Sequence, residues 1–138
     1  MSAMKKSAWV VDDDEDHIRL LQTLFNTLGY DSTIYASISD VAENITNSYT
    51  PDLLLIDTLL PENTAYELIT FIRENEMRED IPIIMLDDHY GEESEYAIQI
   101  GADDQLSFPL SLEELEEAVS NAYERRRLEE LIEEEEEF

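Results

Sequence analysis

Two short apolar runs that each end in aspartate constrain the fold of this chain more than any other feature. Residues 8–11 (Ala-Trp-Val-Val) lead into Asp12-Asp13-Asp14, and residues 53–56 (Leu-Leu-Leu-Ile) lead into Asp57. Continuous apolar runs of this length are typical of strands buried on both faces of a parallel sheet. We therefore expect the aspartates to meet in an acidic pocket at one sheet edge. Such a pocket can hold a divalent cation and present one carboxylate as a nucleophile.

The remaining chain alternates between predicted strands and predicted helices. Further strands are predicted at residues 32–36, 81–86 and 105–108, and helices at residues 14–28, 39–47, 64–75, 92–100 and from residue 112 onward. Five strands alternating with five helices predict a doubly wound α/β fold around a five-stranded parallel sheet. Right-handed crossovers bring the carboxyl ends of the strands to one edge, where binding sites form. The aspartates expected at that edge are Asp12, Asp13, Asp57 and Asp87.

Capping residues mark the ends of several predicted helices. Asp14 or Asp16 is expected to cap the first helix, which Gly29 terminates. Residues 64–67 (Thr-Ala-Tyr-Glu) and residues 111–114 (Ser-Leu-Glu-Glu) each read as a capping box, in which a hydroxyl and a carboxylate three residues apart satisfy backbone N–H groups. The residues predicted to face the core from the second helix are Val41, Ala42 and Ile45.

Composition narrows the possible partners and the compartment. The chain has 138 residues, which suits one domain, and its formal net charge is -27, with 35 acidic against 8 basic residues. Such a surface repels DNA, RNA and anionic lipid, so direct contact with nucleic acid or membrane is not expected. The absence of cysteine excludes disulfides. With no signal-like or membrane-spanning apolar stretch, a soluble cytoplasmic protein is expected.

Positive charge is scarce in the part of the chain that should surround the pocket. Lysine occurs only at residues 5–6, and neither lysine nor arginine occurs between Arg78 and Arg125. The pocket is therefore expected to lack an ammonium group. Neither histidine fits a metal-binding spacing, and both His17 and His89 are interpreted as surface residues. Trp9, in the first strand, is expected in the core.

The last predicted helix extends beyond what the alternating pattern needs. It runs from Leu112 past a basic triplet, whose residues 125–126 lie four positions before residues 129–130, so intrahelical ion pairs can support it. An apolar strip follows, formed by Leu128, Leu131 and Ile132. We assign residues 1–124 to the domain and residues 125–138 to an acidic helical extension or linker. This extension could join a further domain, form a homodimer contact, or fray as an acidic tail.

Four motifs follow one another along the chain. They are residues 10–14 (Val-Val-Asp-Asp-Asp), residues 51–57 (Pro-Asp-Leu-Leu-Leu-Ile-Asp) with Leu60-Pro61, residues 81–86 (Ile-Pro-Ile-Ile-Met-Leu) and residues 101–104 (Gly-Ala-Asp-Asp). In this order and spacing they resemble the receiver domain of two-component response regulators, over about residues 7–124. The resemblance implies the flavodoxin-like (βα)5 fold that chemotaxis-type receivers share.

The same resemblance implies a site and a reaction. Asp57 would be the phosphoacceptor, taking a phosphoryl group from a histidine kinase or a phosphotransfer protein. Mg²⁺ would be held by Asp13, Asp57 and the backbone carbonyl of Leu59, with Asp12 contributing through water. A downstream output domain or protein would read the result. The chain would then be a signalling module and not an enzyme.

Several positions depart from the family pattern. Asp87 stands where the family has Thr or Ser, and Phe108 stands where it has Lys before Pro109. Gln105 replaces the usual aromatic switch residue, and Ala65 replaces a common Gly. Like-charge repulsion from Asp87 and the missing ammonium predict phosphorylation that is weak, short-lived or absent.

Both substituted side chains also have a structural interpretation. Asp87 could instead turn outward together with Asp88. Phe108 is expected to fill the space of the lysine, pack on the fourth helix and precede a cis peptide bond to Pro109.

Three functions follow from these features. The first is a receiver that keeps a working phosphoacceptor, which the presence of Asp12, Asp13 and Asp57 favours. The second is a phosphorylation-independent pseudo-receiver, which Gln105 and Phe108 favour and whose partner would dock on the fourth helix, fifth strand and fifth helix. The third is a phosphatase of the haloacid-dehalogenase type, suggested by Asp-x-Asp after a strand, but such enzymes need a downstream lysine that this chain lacks.

Overall fold

The fold is built on one parallel sheet. The computed structural model describes residues 5–45, 49–58, 65–74, 80–87, 96 and 98–136. Its strands are β1 (Lys6–Val11), β2 (Tyr30–Tyr35), β3 (Leu53–Asp57), β4 (Ile83–Leu86) and β5 (Asp104–Leu106). They pair in parallel in the order β2-β1-β3-β4-β5. This is the doubly wound, flavodoxin-like order, so the predicted fold class is confirmed.

Helices cover both faces of the sheet. They are α1 (Glu15–Thr27), α2 (Ile38–Asn44), α3 (Ala65–Arg73) and a C-terminal helix (Leu112–Glu136), and residue 96 and residues 98–100 are also helical. Side chains of β1 alternate between the two faces because a strand has a period of two residues. Trp9 and Val11 pack with α2 and α3, whereas Ala8 and Val10 pack with α1 and the C-terminal helix. Trp9 is 2% exposed, as predicted for a core residue.

Capping contacts fix the helix ends that the sequence marks. Asp14 is the N-cap of α1, and Gly29 follows the helix with a φ of 87° that favours glycine. At the C-terminal helix, Glu114 N–H donates to Ser111 Oγ (3.2 Å), and Ser111 N–H donates to the Glu114 carboxylate (3.1 Å). The predicted capping box at residues 111–114 is therefore confirmed, whereas Thr64 of the earlier one lies outside the described residues.

The second helix differs in part from its predicted packing. Val41 and Ile45 are buried as predicted, but Ala42 is exposed. The prediction for Ala42 is wrong because this helix spans only Ile38–Asn44 and presents a narrow face to its neighbours. A small side chain at the margin of that face stays in solvent.

A buried ion-pair cluster lies at the amino edge of the sheet. Asp103 accepts from Arg73 Nη2 (2.8 Å), from Arg126 Nε (2.7 Å) and from Ile83 N–H (2.8 Å). Arg73 also donates to the backbone carbonyls of Gly101 (2.9 Å) and Ile81 (2.7 Å). Gly101 has a φ of 128°, and a Cβ there would lie 2.6 Å from Arg73 Cγ. The cluster thus joins α3, the starts of β4 and β5, and the C-terminal helix.

Desolvation is the largest cause of the pKa shifts of Arg73 and Asp103. Burial lowers the pKa of Arg73 to about 10 and raises the pKa of Asp103 above its ordinary value, while the partner charge opposes the shift in each case. A buried ion pair of this kind holds elements in register, and losing one partner leaves an uncompensated charge.

The C-terminal helix is continuous through the predicted domain boundary, from Leu112 to Glu136. The sequence allows intrahelical pairs of Arg125 and Arg126 with Glu129 and Glu130, and the structure describes ion pairs of both arginines with Asp103. A buried carboxylate needs a counter-charge more than solvated glutamates do, so the tertiary pair is favoured. The predicted apolar strip is exposed, at 47% for Leu128, 45% for Leu131 and 49% for Ile132.

Membrane-crossing helices are not found in the described part of the chain, where none of the helices is both long and apolar enough to span a bilayer.

Candidate functional site

The predicted acidic pocket forms at the carboxyl edge of the sheet. Val11 of β1 pairs with Ile56 of β3, so the residues that follow them, Asp12 and Asp57, lie at the same level on neighbouring strands. Asp12 is 0% exposed and Asp57 is 7% exposed. The register of two buried strands therefore brings two carboxylates, about forty-five positions apart in the chain, into one buried site.

Asp12 is held by the start of the following helix. Its Oδ1 accepts from the backbone N–H of Asp14 at 3.0 Å, and its Oδ2 lies 3.2 Å from Nδ1 of His17. Asp14 in turn accepts from the backbone N–H groups of Asp16 (2.9 Å) and His17 (3.1 Å), which lowers the pKa of Asp14. The turn between β1 and α1 thus orients Asp12 and also brings an imidazole to it.

His17 is a residue of the pocket that the sequence did not predict. It was predicted to be a surface residue, but it lies in the pocket, where one ligand atom each from Asp12, His17 and Asp57 all fall within 4.8 Å of one another. His17 is the third residue of α1, and helical side chains tilt toward the helix N-terminus. A side chain at this position therefore points back over the end of β1, and its place in the first turn of the helix is the sequence signal for this contact.

Phe108 fixes the position of that imidazole. The two rings are stacked, with centroids 3.8 Å apart and planes 7° apart. Phe108 was expected to pack on the fourth helix, and the ring contact described for it is with His17 at the start of α1. The predicted cis bond between Phe108 and Pro109 is confirmed.

The other predicted switch residues differ in how far they are buried. Asp87 follows β4 and is 5% exposed, so the outward orientation considered for it is wrong. Leu86, which precedes it, pairs with Asp57 in the register of β3 and β4, so Asp87 belongs to the same sheet edge. Gln105 lies in β5 beside Met85 and is half-buried, whereas Pro109 is exposed.

No contact with the pocket is described for two of the predicted metal ligands, Asp13 and the carbonyl of Leu59. Asp13 is exposed next to the buried Asp12. The backbone carbonyl of Leu59 lies outside the described residues, and so does His89, the other histidine interpreted as a surface residue. Of the predicted ligands, the structure brings Asp12 and Asp57 together.

Both lysines lie at the opposite edge of the sheet from the pocket. The ammonium nitrogen of Lys5 lies 3.9 Å from Oδ1 of Asp31, and that of Lys6 lies 4.8 Å from the ring centre of Tyr123. Both residues are at the amino end of β1, whereas the pocket follows its carboxyl end. No lysine side chain therefore reaches the pocket, in which the imidazole of His17 lies.

The donor set fits a divalent cation. Two buried carboxylates supply the hard oxygen ligands that Mg²⁺ prefers, and a protein site for Mg²⁺ needs few of them because the ion keeps several waters. Repulsion between two buried carboxylates is also reduced when a cation lies between them.

Comparison with known proteins gives one consistent family. A family model described as "Response regulator receiver domain" matches residues 8–120. Response regulator SaeR of Staphylococcus aureus is 29% identical over 119 residues, which cover 86% of this chain and 50% of SaeR. The chain thus spans about half the length of the curated relatives it matches.

Solved structures agree with this match. A putative response regulator from Chloroflexus aurantiacus superposes with a TM-score of 0.78 at 28% identity, covering 87% of this chain and 98% of that one. The signal receiver domain of a histidine kinase from Syntrophus aciditrophicus has a TM-score of 0.74 at 21% identity, covering 86% of this chain and 90% of that one. The second likeness shows a shared fold.

Proposed function

The chain belongs to the family of response regulator receiver domains of two-component systems, and from this premise we propose that Asp57 accepts a phosphoryl group. A carboxylate oxygen of Asp57 would bond to phosphorus while the bond between phosphorus and the donor histidine nitrogen breaks. The donor would be a histidine kinase or a phosphotransfer protein, and the acceptor module would itself not be an enzyme. A cytoplasmic location stays the expectation for this exchange.

The convergence of Asp12 and Asp57 carries this proposal. The β1–β3 register places the two carboxylates side by side, and both are nearly excluded from solvent. Two buried like charges raise the energy of the metal-free pocket, so binding a cation is favoured before any reaction. A carboxylate at a strand end, oriented by a rigid sheet, is well placed to act as a nucleophile.

We propose that Asp12, Asp13 and Asp57 hold Mg²⁺. When bound, the cation offsets negative charge on the incoming phosphoryl group. The protein's own groups do the positioning: β1 and β3 set the distance between the carboxylates, and Asp14 N–H orients Asp12. Asp13, which is exposed, is the ligand that solvent and the donor protein can reach first.

Two side chains lower the stability of the phosphorylated form of Asp57. Asp87 is a buried carboxylate at the same edge, and Phe108 replaces a cationic partner by a neutral ring. Each lost or repulsive contact costs on the order of 1–3 kcal/mol in a partly buried site. We therefore propose short-lived or low-level phosphorylation of Asp57, read by an output domain or protein in the remaining part of a longer chain or in a partner.

A phosphorylation-independent pseudo-receiver is the second candidate. The stack of Phe108 on His17 favours it, because this ring pair fills the region from which a lysine would contact the phosphoryl group. In that case the partner would dock on the face formed by the helical residues 98–100, β5 and the C-terminal helix. The exposed Leu128, Leu131 and Ile132 would then suit a homodimer contact, which sedimentation velocity at increasing protein concentration would detect.

Acetyl phosphate with Mg²⁺ tests the proposal directly. We expect a minor species heavier by one phosphoryl group in the intact mass spectrum, because Asp57 can still act as a nucleophile while Asp87 and Phe108 destabilise its phosphorylated form. The species should vanish in Asp57→Asn and persist in Asp31→Asn, a matched change at the amino edge of the sheet. An adduct of equal abundance in Asp57→Asn would contradict the assignment, and no adduct at any donor concentration would favour the pseudo-receiver.

A further inference from the structure

We infer that His17 is a protein ligand of the divalent cation in this pocket and shifts its selectivity from Mg²⁺ toward ions that accept imidazole, such as Mn²⁺ and Co²⁺. This inference rests on the proposed metal site but concerns a residue that the family resemblance does not assign. It is carried by the placement of His17 between the carboxylates of Asp12 and Asp57 and by the ring stack that holds the imidazole there.

The distances fit a shared ion. Two atoms that bind one ion at about 2.1 Å lie roughly 3.0 Å apart at an octahedral angle and roughly 3.4 Å apart at a tetrahedral angle. Nδ1 of His17 and Oδ2 of Asp12 are 3.2 Å apart, between these two values. One ligand atom each from Asp12, His17 and Asp57 lies within 4.8 Å of the others, so an ion that draws the three groups together could bind all of them.

The imidazole is already held in place. It is stacked on Phe108 with its plane within 7° of the phenyl ring, and its side chain is 30% exposed. Its backbone N–H is bonded to the N-cap Asp14, which fixes the first turn of α1. Little side-chain freedom then remains to be lost when a metal binds, which favours binding.

The substitution of lysine by Phe108 makes this arrangement possible. The neutral phenyl ring stacks on the imidazole and adds no charge to the pocket. Carboxylate oxygens alone suit Mg²⁺, while a nitrogen ligand favours Mn²⁺, Co²⁺ and other first-row ions in the order of their general affinity for nitrogen. The same replacement that weakens phosphoryl binding therefore favours a different metal.

Metal titrations of the metal-free protein, followed by Trp9 fluorescence and by calorimetry, test the inference. We expect His17→Ala to weaken Co²⁺ binding by about tenfold or more and to change Mg²⁺ binding by less than about threefold. The visible spectrum of bound Co²⁺ should also lose its nitrogen-ligand contribution. His89→Ala, which removes the only other histidine, should leave both affinities unchanged.

Two outcomes would overturn it. If His17→Ala weakens Co²⁺ and Mg²⁺ equally, His17 only orients Asp12 and is not a ligand. If neither affinity changes, the imidazole plays no part in metal binding. No phosphoryl donor is present in these titrations, so the absence of an Asp57 adduct with acetyl phosphate would contradict the proposed function while leaving this result intact.

Discussion

Replacing Asp87 by threonine and Phe108 by lysine in the same chain is expected to increase the phosphorylated fraction of Asp57 at least about tenfold. The double change removes a buried carboxylate from the pocket edge and supplies an ammonium group to a phosphoryl oxygen, and each 1.4 kcal/mol gained corresponds to about a factor of ten. Intact mass spectrometry after incubation with acetyl phosphate and Mg²⁺ measures the fraction, and its decay after donor removal measures the lifetime.

Matched variants separate charge from shape in this experiment. Asp87→Asn removes the charge without supplying a hydroxyl, and Phe108→Leu removes the ring without supplying a charge. We expect a smaller gain from the first and none from the second. If the double variant is as inert as the parent, the weakness of the site does not arise from charge, and the argument from Asp87 and Phe108 fails.

Asp103→Ala is expected to lower the free energy of unfolding by about 3–5 kcal/mol, because it leaves buried arginine charges without their carboxylate. Arg73 and Arg126 both donate to Asp103, and Ile83 N–H loses an acceptor as well. Urea denaturation followed by far-ultraviolet circular dichroism measures the change. Because the carboxylate joins three elements, we expect the entire urea unfolding transition to shift to lower urea concentration as a single step.

An exposed ion pair provides the control for this prediction. Glu124 accepts from Arg127 on the surface of the C-terminal helix, where water screens the interaction. Glu124→Ala should leave the urea midpoint almost unchanged. Equal effects of the two substitutions, or an unchanged midpoint in Asp103→Ala, would show that the buried cluster does not hold the C-terminal helix on the domain.

Apolar periodicity and capping residues, which depend on neighbouring positions in the chain, predicted most strands and helix starts. Apolar runs marked β1 and β3, capping residues such as Asp14 and Ser111 marked helix starts, and the strand ends predicted that Asp12 and Asp57 would meet. These features depend on periodicity, on backbone capping and on the handedness of crossovers, all of which can be read along the chain.

Contacts between distant segments account for what the sequence did not predict. His17 reaches Asp12 because the turn after β1 starts α1 beside the end of that strand, and Phe108, which follows β5, stacks on His17 although the two are distant in sequence. Arg126 pairs with Asp103 because a buried carboxylate outcompetes solvated glutamates for the guanidinium. Partner choice among several charged residues depends on burial, which spacing alone does not reveal.

Beryllofluoride tests the central claim most directly, because it forms a phosphoryl-like adduct with a carboxylate and requires the acceptor and the cation to act together. With Mg²⁺ present, the fluorine NMR spectrum of the intact chain is expected to show a bound resonance that disappears in Asp57→Asn and remains in Asp31→Asn. If the unaltered chain shows no bound resonance with Mg²⁺, or if a bound resonance survives in Asp57→Asn, the assignment of this pocket as a phosphoacceptor site is contradicted.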